Sequence, residues 1–191
     1  MNLAPGVEFD EGKHEYWYKG KRLSGITGLV SKKLGLKYSS EFVGEHAAEG
    51  IHVHAAVQRW IETGESGSAH PGVAWLVNEL SAPIRGRKNM YSEVLVSDFS
   101  RYASLVDIMW RPMGSSMREV VGIADIKKGV FNREYATWQL SIYKYFIEAY
   151  AQLRVVECAC YCLKDKEQYP IFPKKAPEVE GLLYGKVFSG G

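Results

Sequence analysis

The spacing of apolar residues changes period several times along the chain, and each change marks an element. Val7–Leu23 reads as short extended pieces, Val7-Glu8-Phe9 and then His14–Gly20, with Lys19-Gly20-Lys21 as the turn into a return strand. The small-residue stretch Ser24-Gly25-Ile26-Thr27-Gly28-Leu29-Val30 leads into a basic loop or helix at Ser31–Lys37. From about Ser40 to Glu62 the period becomes helical, with Phe42, His46, Ala47, Gly50, His54, Val57 and Ile61 three or four residues apart. Gly64–Gly72 is a Gly, Ser, His and Pro linker, and Val73–Leu80 predicts a short amphipathic helix ended near Pro83.

Three β-branched runs follow: Tyr91–Phe99, Tyr102–Trp110 and Glu119–Lys127. Ser100-Arg101 would make a tight connection and Arg111–Met117 a hairpin loop. Asn132-Arg133-Glu134 opens a helix to about Tyr150, and Val155–Leu163 reads as the last strand. Helix, three strands, helix and strand, in that order, predict an α/β fold with a central mixed β-sheet flanked by helices. The chain divides into an N-terminal hairpin and basic loop (1–40), a core (41–164) and an irregular, Pro-, Lys- and Gly-rich tail (165–191), all within one domain.

Composition narrows the function classes. A net charge of +2 provides no polybasic tail, so any nucleic-acid contact must come from a local stripe. Lys32, Lys33, Lys37, Arg85, Arg87 and Lys88 are candidates, with solvated loop positions as the plainer reading. No apolar run has the length of a membrane span, and the N-terminus lacks the features of a signal peptide. Cys158, Cys160 and Cys162 alternate with Ala159 and Tyr161, which puts all three thiols on one face of a strand. Their spacing is not that of a zinc turn, so buried thiols in a reducing cytoplasm are expected.

The chemistry concentrates at strand ends. Asp107 falls in one apolar run and Asp125-Ile126-Lys127 ends the next. On a strand, Asp125 and Lys127 share a face while Ile126 turns into the core. Two carboxylates and an ammonium can hold a hard divalent cation and screen charge on a phosphodiester, although a D-x-K triplet on a solvated strand face is common. Glu93, in the preceding strand, is either another acid of this group or an exposed strand carboxylate. His54 lies one turn after Gly50, whose missing side chain would let the helix approach a neighbour closely. Gln139 and Tyr143 stand at i, i+4 on the helix after the D-x-K strand and share one face.

In this order, G-x-x-x-H, Glu93, Asp107, D-x-K and Q-x-x-x-Y resemble the RecB-like branch of the PD-(D/E)xK nuclease superfamily, which includes phage-type exonucleases. Leu23-Ser24-Gly25-Ile26-Thr27 also looks like a divergent form of the P-S-V-T segment that precedes the core in some relatives. The resemblance implies a restriction-endonuclease-like core over 41–164, with His54, Asp107, Asp125 and the Ile126 carbonyl as ligands of Mg²⁺ or Mn²⁺. It implies Lys127 as the catalytic lysine, Glu93 as an assisting acid, and Gln139 and Tyr143 as residues that contact DNA or brace the site. His52 is the competing histidine, off the motif's spacing. Lys128 replaces the motif's Ser or Thr and places a positive charge where a phosphate could sit. Some relatives carry an iron–sulfur cluster; with the cysteines confined to one strand, none is expected here. The implied function is a metal-dependent deoxyribonuclease, more an exonuclease on DNA ends than an endonuclease, in recombination, repair or phage DNA processing. A catalytically inactive nuclease fold that binds DNA or protein is the alternative. Implied partners are linear DNA ends, a recombination or single-strand-binding protein and, in some relatives' manner, further copies of the chain. The implied setting is the cytoplasm of a bacterium or phage-infected cell. Trp110, Tyr135 and Trp138 could stack on unpaired bases or belong to the core.

Overall fold

The computed structural model describes residues 1–36, 43–65, 67, 70–81, 87–112 and 119–185, with side chains of the first long helix described from His52 onward. Lys37, Arg85, the surroundings of Gly50 and most of the 111–117 connection lie outside the described residues. Three short strands open the chain: β1 (Val7–Asp10), β2 (Glu15–Tyr18) and β3 (Lys21–Gly25), paired antiparallel in sequence. The β2–β3 turn places Lys19 and Gly20 at φ of 48° and 75°. Two successive left-handed residues match the twist of the flanking strands, which is why a K-G turn closes a hairpin here.

Next come α1 (Ile26–Lys33), α2 (Val43–Thr63) and α3 (Pro71–Leu80). Pro71 and Gly72, read from the sequence as linker, form the first turn of α3, where a missing proline N–H costs nothing. The strands β4 (Met90–Ser97), β5 (Tyr102–Trp110) and β6 (Val120–Lys127) follow the predicted runs closely. The helix α4 (Arg133–Tyr150) starts where expected because the Asn132 side chain accepts the Tyr135 N–H at 3.0 Å. Such a cap contributes about 1 kcal/mol. The strand β7 (Arg154–Cys162) runs parallel to β6.

The tail departs from expectation. Two regular elements lie within residues 165–185: β8 (Glu167–Pro170) pairs antiparallel with β7, and α5 (Ala176–Tyr184) packs Val179 and Leu183 into the core. Pro177 sits in the first turn, the Glu178 carboxylate accepts the Lys175 N–H at 3.1 Å, and Gly185 ends the helix at φ 67°. The proline and glycine that suggested disorder are the start and stop of a helix.

The result is an α/β molecule with a mixed central sheet flanked by helices, in the order β1-β2-β3-β5-β6-β7-β8 with β4 on β5. One face is covered by α1, α4 and α5, which share a core with Val94, Val106, Ile123 and Cys160. The other is covered by α2 and α3, packed on Met90, Ile108, Trp110 and Ile126. A smaller core joins the N-terminal hairpin to Leu95 and Ala103. Each fully buried Leu, Ile, Val or Phe stabilises by about 1.5–3 kcal/mol, so both faces are firmly held.

Two irregularities position the site. First, Val94, Val96 and Val106 face the α4 core, but Met90, Ile108 and Trp110 face the opposite core. All six are even-numbered, so the two-residue alternation reverses on both strands between these stretches. Ser92 pairs with Ile108 and Val94 with Val106, which sets Glu93 opposite Asp107 at the reversal. Glu93 has a left-handed backbone, φ 47°. Second, β5 changes partner along one edge. Tyr102 and Ala103 pair with β3, Ile108–Trp110 pair with β6, and the β6 pairing stops short of Asp107 and Asp125.

Candidate functional site

The strands β5 and β6 part at the two aspartates, and a side chain fills the break in the ladder. Asp107 Oδ2 accepts the Ile126 N–H at 2.6 Å, taking the place of a strand carbonyl. A buried N–H left without a partner would cost about 1–3 kcal/mol, so this bond both seals the gap and fixes the carboxylate. The other oxygen, Oδ1, lies 3.6 Å from His54 Nδ1. His54 Nδ1 also sits 3.1 Å from Glu93 Oε1. The donor atoms of His54, Glu93 and Asp107 all lie within 4.8 Å of one another.

Asp125 belongs to a second, adjoining group. Its oxygens lie 3.2 and 2.9 Å from Lys127 Nζ. Lys127 also donates to Gln139 Oε1 at 2.9 Å, and its ammonium stands 5.0 Å from the centre of the Tyr135 ring. Gln139 Nε2 donates to the Tyr143 hydroxyl at 2.8 Å, and that hydroxyl lies 3.4 Å from Ser104 Oγ. The chain Asp125–Lys127–Gln139–Tyr143–Ser104 thus locks the lysine's direction. Asp125 and Lys127 share the α4 side of the sheet as the spacing predicts, while Ile126 is buried on the α2 side.

Electrostatics follow from burial. Asp107 and Asp125 are almost fully enclosed, and burial raises both carboxyls above the usual range, Asp125 to about 6 despite the lysine beside it. His54 is raised to about 9, chiefly by the Asp107 charge, with burial opposing and the Glu93 hydrogen bond adding to the rise. Burial works against the charge on Lys127, yet Asp125 and then Asp107 hold its pKa above the ordinary lysine value. The site is a set of buried charges that stabilise one another.

The sequence-derived residues fall into distinct places. His54, Asp107 and Glu93 come together, and Glu93, not Asp125, completes the trio around His54. Asp125 faces the lysine, and Ile126 meets Asp107 through its N–H. Gln139 and Tyr143 brace the lysine from within the core. Lys128 lies half-buried in the bend after β6, and His52 is exposed on α2. Trp110, Tyr135 and Trp138 are core residues, 1%, 7% and 7% exposed, which leaves their faces to protein neighbours rather than bases. Arg87 donates to the Ile61 carbonyl at 2.9 Å and satisfies the end of α2.

Two participants escaped the sequence reading. Ser104 anchors the Tyr143 hydroxyl, and the Cys160 thiol lies 3.8 Å from Asp125 Oδ2. Burial holds that thiol neutral, so it acts as a weak donor to the carboxylate. Its alternation with Ala159 and Tyr161 placed it on the Asp125 face, and the parallel pairing of Asp125 with Cys160 brings the two together. Among the described residues no helix is long and apolar enough to cross a membrane. The chain matches no protein-family model and none of the curated proteins compared with it.

Proposed function

We propose that this chain is a divalent-metal-dependent deoxyribonuclease with a restriction-endonuclease-like core of the RecB-like type, acting on DNA ends. One observation carries the reading. Asp107 and the Asp125-x-Lys127 pair meet at the break between β5 and β6, with His54 and Glu93 closed around Asp107. A chance D-x-K on a solvated strand face would not be enclosed, braced by a glutamine and joined by a histidine from another layer.

The donor set fits a cation. It consists of one imidazole and two carboxylates, with the histidine nitrogen between oxygens at 3.1 and 3.6 Å. Without metal, an imidazolium at that position supplies the positive charge that the carboxylates require, as the upward shift of His54 indicates. His54, Glu93 and Asp107 would hold Mg²⁺ or Mn²⁺, the histidine favouring Mn²⁺. When bound, the ion would neutralise phosphate charge and lower the pKa of a water. Asp107 keeps its geometry because one oxygen is committed to Ile126. Lys127, aimed by Asp125 and Gln139, would donate a hydrogen bond to a non-bridging phosphate oxygen and screen the negative charge that develops there. Tyr143 and Ser104 hold Gln139 against rotation.

The test is degradation of linear DNA by the full chain with Mg²⁺ or Mn²⁺, against a chelator control. Asp125→Ala and Lys127→Ala are expected to lose cleavage by about 10²–10³-fold or more, the scale of one lost transition-state contact. Equal activity in both variants, or no metal-dependent cleavage in the unaltered chain, overturns the reading.

A further inference from the structure

One cleft joins the candidate metal centre to the N-terminal hairpin. Its volume is about 440 Å³. Phe9, Glu11 and His14 form one wall, His54 and Gln58 of α2 form the other, and Glu93 lies where the cleft reaches the metal group. Two ring neighbours hold Phe9: it stacks on Tyr16 with centroids 4.9 Å apart, and the His14 ring lies perpendicular to it at 5.3 Å.

Charge decides what the cleft can take. Among the described residues lining it there is no lysine or arginine, while Glu11 and Glu93 contribute carboxylates. A run of phosphates would be repelled, whereas a neutral planar base would not. The volume lies near the lower end for small-molecule sites and far below that needed for a duplex. The wall offers a fixed aromatic ring, an amide and an imidazole, the groups that stack on a base and bond its edge.

Resting on the nuclease reading above, we propose that this cleft receives the base of a single unpaired nucleotide, with Phe9 as the stacking platform and His14 beside the base edge, while Gln58, whose Nε2 donates to Glu62 at 3.0 Å, offers its amide oxygen. The phosphate of that nucleotide lies at His54, Glu93 and Asp107. The substrate at the moment of binding is then a single-stranded or frayed end, and a blunt duplex must open a terminal pair first.

The experiment uses the full chain with Mn²⁺ and a short single-stranded DNA made uncleavable by phosphorothioate linkages. Binding is read by fluorescence anisotropy for the intact oligonucleotide and for versions abasic at the 5′ or the 3′ terminal position. One abasic version is expected to bind about tenfold more weakly, the scale of one lost base–aromatic contact. Phe9→Leu, which keeps an apolar side chain at the hairpin, should weaken the intact oligonucleotide by a similar factor and leave the abasic one unchanged. Equal binding of all three oligonucleotides to the unaltered chain overturns the proposal, and so does a Phe9→Leu loss that is the same for intact and abasic DNA. Cleavage of unmodified DNA in parallel separates the two readings. Base-dependent binding without cleavage supports the cleft and removes the nuclease; metal-dependent cleavage without base dependence does the reverse.

Discussion

His54 carries its charge because Asp107 is 3.6 Å away, and that dependence has a pH signature. Its pKa is raised from 6.5 to about 9, so the folded state binds the proton more tightly than the unfolded chain. The stabilisation is therefore complete below pH 6.5 and is lost as pH rises through 9. In metal-free protein, urea midpoints should fall across this window by the equivalent of about 1–2 kcal/mol, reduced for the 32% of the side chain facing solvent. Asp107→Asn removes the main cause and should flatten the profile. A profile unchanged by that substitution would show that His54 is not charged by Asp107. Asp125 adds a lower window of the same sign: its raised carboxyl costs stability as pH rises toward about 6.

At the scale of elements, the site depends on how closely β5 and β6 can approach before they part. Gly122 pairs with Trp110, and a Cβ at Gly122 would lie 2.2 Å from the Trp110 ring. Trp110 is fully buried and cannot yield. Gly122→Ala should therefore cost about 1–3 kcal/mol in chemical denaturation, the usual penalty of overpacking. Gly129→Ala, with nothing within 4 Å of the new methyl, is the near-neutral control. Equal stability of the two variants would mean that the strands can move apart at this pair. The same scale shows what sequence patterns can reveal. The bounds of β5 and the start of α4 were legible because apolar alternation and an Asn cap are local signals. β8 was not, since Glu167-Gln168-Tyr169-Pro170 shows no apolar alternation and is held by the β7 edge and the stacking of Tyr169 on Phe131, both tertiary contacts. α5 was hidden behind a composition that resembles a flexible tail, although Pro177, Glu178 and Gly185 are in the order that starts and stops a helix. Asp125 was expected beside His54 and Asp107, and Glu93 takes that place in the candidate metal group for a different reason. Two-residue alternation carries no mark of its own reversal, so the meeting of Glu93 with Asp107 is a tertiary fact.

The molecule as a whole is tied together by one carboxylate far from the site. Asp98 Oδ1 accepts the N–H groups of Ser100, Arg101 and Tyr102, and Oδ2 accepts the Tyr184 hydroxyl at 3.0 Å. This links the β4–β5 turn to the last helix across 86 residues of sequence. Asp98→Ala removes the acceptor of several partly buried donors and should lower stability by about 1–2 kcal/mol, measured by thermal or urea unfolding. Asp98→Asn retains an acceptor and should cost less. If Asn is as damaging as Ala, the charge rather than the hydrogen bonds holds the turn.

Glu93 closes the cluster from a left-handed backbone, φ 47°, in the middle of a strand. For a residue with a Cβ this conformation costs roughly 1–2 kcal/mol, and glycine avoids it. Glu93→Gly relieves that cost and the repulsion with Asp107 but loses the contact with His54, so metal-free protein should change little in stability, while any rise in melting temperature on adding Mn²⁺ should be lost. A clear loss of metal-free stability would mean that the contact with His54 outweighs the backbone cost. Where the backbone cost is the larger, selection for thermal robustness alone would replace this glutamate with glycine. On the metal-binding reading proposed above, position 93 is one where the chain trades folding stability for chemistry, and comparison of natural variants at that single position should sort metal-binding copies from those that have lost the ion.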